Sequence, residues 1–137
     1  MLRRIGACLV VGLLASFLSG CEIVDSKLLS GSREYFPKAE VLKFYRPDIV
    51  QIETHVGNVS KKFADKTFRA MLQGREGRDL MNGLQLAGYR WFVLGFDEFN
   101  VVWDTQAGYY TVLDADEYVA WAQRTWGYVP IPQRVVR

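Results

Sequence analysis

The sequence predicts an α+β fold: a small antiparallel sheet, a three-stranded meander with one further strand, packed against two or three helices. Three observations carry this. Aromatic and β-branched residues concentrate between Tyr89 and Leu113 in runs of strand length. Apolar residues recur at helical spacing on both sides of that block. Half of all residues are hydrophobic, and the four Trp, seven Tyr and eight Phe supply a core for one domain of this length.

The elements follow in chain order. Val50, Ile52, Thr54 and Val56 alternate with Gln51, Glu53 and His55, the period of a half-buried strand that Gly57-Asn58 ends. Ser60 is placed to cap a helix whose buried face is Ala64, Phe68, Met71 and Leu72, with Gly74 as its stop. A second, shorter helix is expected from Arg78 to Ala87, carrying Leu80, Met81 and Leu84 inward; Gly77 and Gly83 weaken it. The meander comprises Tyr89 to Phe96, Glu98 to Asp104 and Tyr109 to Leu113, punctuated by Asp97 and by Thr105-Gln106-Ala107-Gly108. Asp114 and Glu117, three apart, then open a capped amphipathic helix bearing Tyr118, Trp121, Ala122, Thr125 and Trp126. Gly127 stops it, and Pro130 and Pro132 make the tail extended. With this order the helices are expected on one face of the sheet.

The N-terminal part reads differently. Arg3 and Arg4 precede an uncharged apolar run from Ile5 to Leu18, shorter than the roughly 20 apolar residues that cross a bilayer core. Leu18-Ser19-Gly20-Cys21 follows, with small residues before a cysteine. This segment resembles a bacterial lipobox. The resemblance implies cleavage before Cys21, lipidation of its thiol, and attachment to a membrane through acyl chains. One chain holds only marginally and two or three hold firmly. Glu22 in place of an aspartate after the cysteine favours the outer membrane, facing the periplasm. The expected organisation is a signal over 1–20, a flexible tether over 21–34, and a single α+β domain over 35–137 with an extended C-terminal tail.

Cleavage would remove Arg3 and Arg4 from the 17 basic residues, leaving 15 against 15 acidic ones and a formal charge of zero. Without a basic stripe, no nucleic-acid partner is expected. Cys8 would leave with the signal and Cys21 would be lipidated, so no internal disulfide is available.

Catalytic signatures are sparse. His55 is the single histidine, placed on the polar face of its strand. No Gly-x-Ser-x-Gly elbow and no phosphate-binding glycine pattern occurs. Asp97, Glu98 and Asp104 read as turn and edge residues, and Asp114, Asp116 and Glu117 as a helix start. Neither group has metal-ligand spacing, so no metal and no cofactor is expected. Trp121 and Trp126, five apart, lie roughly 140° around a helix from one another and do not form a flat sugar platform.

One short segment points to a partner. Tyr45-Arg46-Pro47-Asp48-Ile49 resembles the Tyr-Arg-Pro-Asp-Ile segment of BamE, the SmpA/OmlA family of small lipoproteins of the outer-membrane β-barrel assembly machine. Gly74, Leu80 and Leu84 fall near a glycine and two apolar helix positions of that family. Arg75-Glu76 stands where the family has Met-Thr, its Leu-Gly-x-Pro helix ending is missing, and the strand near Val50 and the helix after Asp114 have no counterpart there. The resemblance implies two helices followed by a three-stranded antiparallel sheet, and binding of envelope partners or anionic lipid through Tyr45, Arg46, Pro47 and Asp48. The resulting expectation is a non-catalytic, lipid-anchored envelope protein with an envelope protein partner. The alternative is a cell-wall-acting enzyme or carbohydrate-binding lipoprotein, whose mark would be two convergent carboxylates or an exposed aromatic row.

Overall fold

Strand alternation divides the apolar residues of this chain between two faces of one sheet. The computed structural model describes residues 28–134; Leu18-Ser19-Gly20-Cys21 and the expected signal lie outside them. Residues 28–35 form helix α1. Then come β1 (Glu40–Lys43), β2 (Ile49–Glu53), α2 (Lys61–Gln73), α3 (Arg75–Leu86), β3 (Trp91–Gly95), β4 (Phe99–Asp104), β5 (Tyr109–Asp114), α4 (Ala115–Trp126) and β6 (Gln133–Arg134). The sheet order is β5-β4-β3-β2-β1-β6.

The α+β class is as the sequence predicts, and the meander is present as β3, β4 and β5, each pair antiparallel. The sheet is larger and mixed, because β2 pairs with β3 in parallel, Ile49 opposite Trp91 and Glu53 opposite Gly95. A parallel pair needs a long crossover, and α2 with α3 supplies it. The strand expected over Val50 to Val56 is shorter and starts earlier. It ends at Glu53, and His55 takes a left-handed φ of 57° in the connection that follows.

The expectation that all helices share one face needs correction. Val50, Ile52, Phe92, Leu94 and Val101 pack with Leu28, Phe36, Ala64, Phe68 and Leu84 on one side. Ile49, Trp91, Val93, Val102 and Leu113 pack with Tyr118, Trp121 and Trp126 on the other. Helix α4 therefore covers the second face alone. The reason is visible in β3, Trp-Phe-Val-Leu-Gly, which is buried at every position. An unbroken apolar strand needs cover on both sides.

The tether expected over 21–34 is folded in its described part. Leu28 and Ser32 of α1 are buried, and Phe36 meets Phe96 edge-on with ring centroids 5.5 Å apart. Ordering a helix costs backbone entropy, which the burial of Leu28 and Phe36 offsets here.

The helix ends follow the sequence closely. Ser60 Oγ accepts from Phe63 N at 3.0 Å. At α4 the capping box is complete: Asp114 Oδ1 accepts from Glu117 N at 2.8 Å, and Glu117 Oε1 accepts from Asp114 N at 2.9 Å. Gly127 closes α4 in the left-handed region. Helix α3 begins at Arg75 rather than Arg78, directly after the single joint residue Gly74. Gly77 makes that tight corner workable. A Cβ there would lie 2.2 Å from Met71 O and 2.8 Å from Leu72 Cα, so any side chain would force the two helices apart.

Candidate functional site: the two ends of the sheet

The strand directions give the sheet two chemically different ends. At one end lie the β1–β2 loop, the start of β3, the β4–β5 turn and the end of α4. The segment Tyr45-Arg46-Pro47-Asp48 is the β1–β2 loop itself. Tyr45 and Pro47 are exposed, Arg46 and Asp48 half-buried. Arg46 donates from Nε to Asp48 Oδ1 at 3.0 Å and from Nη2 to Asp48 Oδ2 at 2.9 Å. Its guanidinium also lies 5.4 Å from the ring centroid of Trp126 and 6.0 Å from that of Tyr128. The Asp48 hydrogen bonds raise the Arg46 guanidinium above its ordinary value against the opposing effect of burial. A forked, planar cation sandwiched in this way is pre-organised. The loop is joined to the sheet by Trp91 N donating to Asp48 O at 3.0 Å.

A second pair of the same kind stands beside it. Arg90 donates to Asp104 at 3.3 and 3.1 Å, and its guanidinium lies 4.8 Å from the ring centroid of Trp91. Asp104 Oδ1 also accepts from Gln106 N and Ala107 N, which shapes the β4–β5 turn. Burial opposes ionisation of Asp104, but Arg90 and these amides outweigh it and hold the carboxyl below its ordinary value. The sequence reading placed Asp104 among turn and edge residues. It does close the β4–β5 turn, but it is buried rather than exposed, with its carboxylate held by Arg90 and two turn amides.

Under this end Trp91, Trp121 and Trp126 form an edge-to-face trio, with centroids 4.7 to 5.5 Å apart. The interplanar angle of Trp121 and Trp126 is 80°, so they make no flat platform, as their helical spacing implies. Tyr118 packs against both, and burial pushes its hydroxyl up to about 12.

The opposite end is acidic. Glu40 and Glu53 face each other across β1 and β2. Glu40 Oε1 meets His55 Nε2 at 2.5 Å, and Glu53 Oε2 accepts from Gln51 Nε2 at 3.0 Å. Burial raises the Glu53 carboxyl above its ordinary value; Gln51 and His55 offset part of this, while Asp97 and Glu40 add to it. Gly95 lies beneath: a Cβ there would sit 2.7 Å from Glu53 Oε2 and 2.8 Å from Gln51 Nε2. Sequence reasoning missed this grouping because Glu40 belongs to a strand it did not assign. Among the described residues no group of three or more His, Cys, Asp or Glu side chains is placed to hold a metal ion. None of the described helices is long and apolar enough to cross a membrane.

The structure thus brings Tyr45, Arg46, Pro47 and Asp48 together at one exposed corner and adds Trp126 and Tyr128 to them; Cys21 lies outside the described residues. The three strands that the assembly-lipoprotein resemblance implies make up half of a six-stranded sheet here, with β2 between them and β1. No protein-family model, no curated protein and no solved structure matches the chain.

Proposed function

We propose that the chain is a non-catalytic, lipid-anchored protein of a bacterial envelope, facing the periplasm from the outer membrane and acting by binding another envelope component. The observation that carries this reading is the loop end of the sheet. Exposed aromatic side chains stand there on a framework fixed by two bidentate Arg–Asp pairs and a tryptophan trio. Rigid aromatic anchors beside arginine are the composition of contact surfaces. The lipobox-like segment ending at Cys21 supports the anchor, and the Tyr45-to-Ile49 resemblance supports outer-membrane protein assembly as the setting.

Metabolic labelling with a fatty-acid analogue tests the anchor. Cys21→Ser is expected to abolish both the label and membrane retention; undiminished label on the variant sinks the assignment. For the surface, Tyr45→Ala with Tyr128→Ala is expected to leave thermal melting nearly unchanged while recovery of envelope components from detergent extracts falls.

The paired carboxylates Glu40 and Glu53 favour one other reading, an acid–base enzyme acting on cell-wall glycans. Turnover of purified peptidoglycan that is lost in Glu53→Gln would establish it.

A further inference from the structure

Eight large apolar or aromatic side chains of the described residues are exposed, and five of them gather at the loop end of the sheet. Tyr45 is 85% exposed in the β1–β2 loop, and Tyr109 begins β5. Leu86, 81% exposed, ends α3, where the neighbouring Gln85 donates to Thr105 O of the β4–β5 turn. Tyr128 lies against the Arg46 guanidinium. Ile131, 79% exposed, comes two residues before β6, which pairs with β1 at Lys43. The opposite end carries Glu40, Glu53, Asp97, Glu98, Asp114 and Glu117. The exposed side chains are thus mainly aromatic and aliphatic at one end and mainly carboxylates at the other, where Lys61 pairs with Glu117 and Phe63 is also exposed.

We propose that the aromatic end lies on the bilayer, with Tyr45, Tyr109, Tyr128, Leu86 and Ile131 at headgroup level and the acidic end turned away from the lipid. The proposal rests on the lipid-anchored reading above and names the component that this end contacts. Two facts select a lipid surface as the occupant. The first is reach: the seven residue steps from Cys21 to Leu28 extend no further than about 25 Å. A domain of this size has a radius of gyration near 13 Å, so the anchor holds it within about its own diameter of the membrane. The second is chemistry. Amphipathic tyrosines beside aliphatic side chains suit the membrane–water boundary, where one end of each ring is apolar and the other wet. Carboxylates keep their hydration only away from the lipid boundary, because burying a charge is costly.

The geometry also states which lipid is needed. Arg46 and Arg90 are each engaged by an aspartate, and Lys43 Nζ by Tyr89 Oη. Three cations of this end are thus engaged within the domain, Arg124 in the last turn of α4 stays exposed, and the contact is mainly aromatic. Zwitterionic lipid suffices, with little dependence on salt.

The test uses the mature lipidated chain, in which Cys21 carries the lipid and Cys8 is gone with the signal. Tyr45→Cys, Ile131→Cys and Glu98→Cys, each labelled with a polarity-sensitive fluorophore, are reconstituted into phosphatidylcholine vesicles with and without nitroxide-bearing lipid. Nitroxide lipid is expected to lower emission by about twofold or more at positions 45 and 131 and by far less at 98. Adding phosphatidylglycerol or raising the salt should change that contrast little. Several results overturn the proposal. Equal quenching at 98 would mean no fixed orientation. Absent quenching at 45 and 131, in protein that floats with the vesicles, would leave the anchor standing and remove the face. A shielded label at 45 that ignores nitroxide lipid would mean a protein segment covers this end. Protein that does not float at all refutes the anchor and the proposal together.

Discussion

The two ends of this sheet hold their carboxylates in opposite ways. At the loop end, Asp48 and Asp104 each receive two hydrogen bonds from an arginine, and both arginines lie over aromatic rings. At the acidic end, Glu53 is partly withdrawn from water with only an amide as its hydrogen-bond donor, and other carboxylates stand nearby. The difference shows in the protonation equilibria: Asp104 is held below its ordinary value and Glu53 above it. A carboxylate below its ordinary value stabilises the fold at neutral pH, and one above it does the reverse. Asp104 thus adds to stability at neutral pH and Glu53 subtracts from it, while Glu117, also at the acidic end, is held below its ordinary value by the Asp114 amide and Lys61.

Substitutions can break this contrast, beginning with the largest effect. Trp91→Ala removes the ring that Trp121 and Trp126 meet edge-on and that Arg90 covers. A cost of about 3–5 kcal/mol in urea unfolding is expected, with a loss of near-ultraviolet signal from the trio. Asp104→Ala comes next. It leaves Arg90 unpaired and two turn amides without their acceptor, and should cost about 1–3 kcal/mol. In the wild type the Asp104 contribution is present above the ordinary carboxylate range and is lost as pH falls through its depressed value. The variant's deficit should therefore shrink in acid, as urea midpoints across pH would record.

Asp114→Ala, at the acidic end, breaks the capping box and should cost about 0.5–2 kcal/mol. A midpoint shift near zero would mean that Lys61, which donates to Glu117 at 2.9 Å, holds the start of α4 without the cap. The smallest effect has the opposite sign. Glu53→Gln keeps the size of the side chain and removes the charge that burial disfavours. Below the ordinary carboxylate pKa of 4.5 both folded and unfolded Glu53 are protonated, so the variant gains little. As pH rises past that value the unfolded chain ionises first, and the wild type loses stability. The variant should thus be the more stable one at neutral pH, by a margin that vanishes in acid.

Much of this architecture was legible in the sequence, for local reasons. The caps at Ser60 and Asp114, the stop at Gly127 and the meander through Tyr109 depend on residues a few positions apart. What escaped depends on partners far along the chain. β6 exists because it pairs with β1 about 90 positions away; β1 is the exception, with β2 close by, and escaped because its four residues, Glu-Val-Leu-Lys, carry too little pattern. The side chosen by α4 is set by the apolar character of β3 on both faces. At the site, the Tyr45-to-Asp48 segment was legible as a short local motif, whereas the stacking of Arg46 on Trp126 joins residues 80 positions apart with no local trace.

The parallel pairing of β2 with β3 has a consequence for how the chain finds its fold. Residues from β3 to the end of α4 contact their neighbours through hairpins and a helix that follows directly, each closing about a dozen residues. Joining Ile49 to Trp91 closes about 40 residues, which raises the loop-closure entropy by about 1 kcal/mol over a hairpin. The meander with α4 can therefore assemble before β2 docks, and folding should nucleate there. Substitutions such as Val102→Ala should then slow folding. Ile52→Ala, equally buried, should chiefly hasten unfolding, because the strand it belongs to arrives late and leaves first.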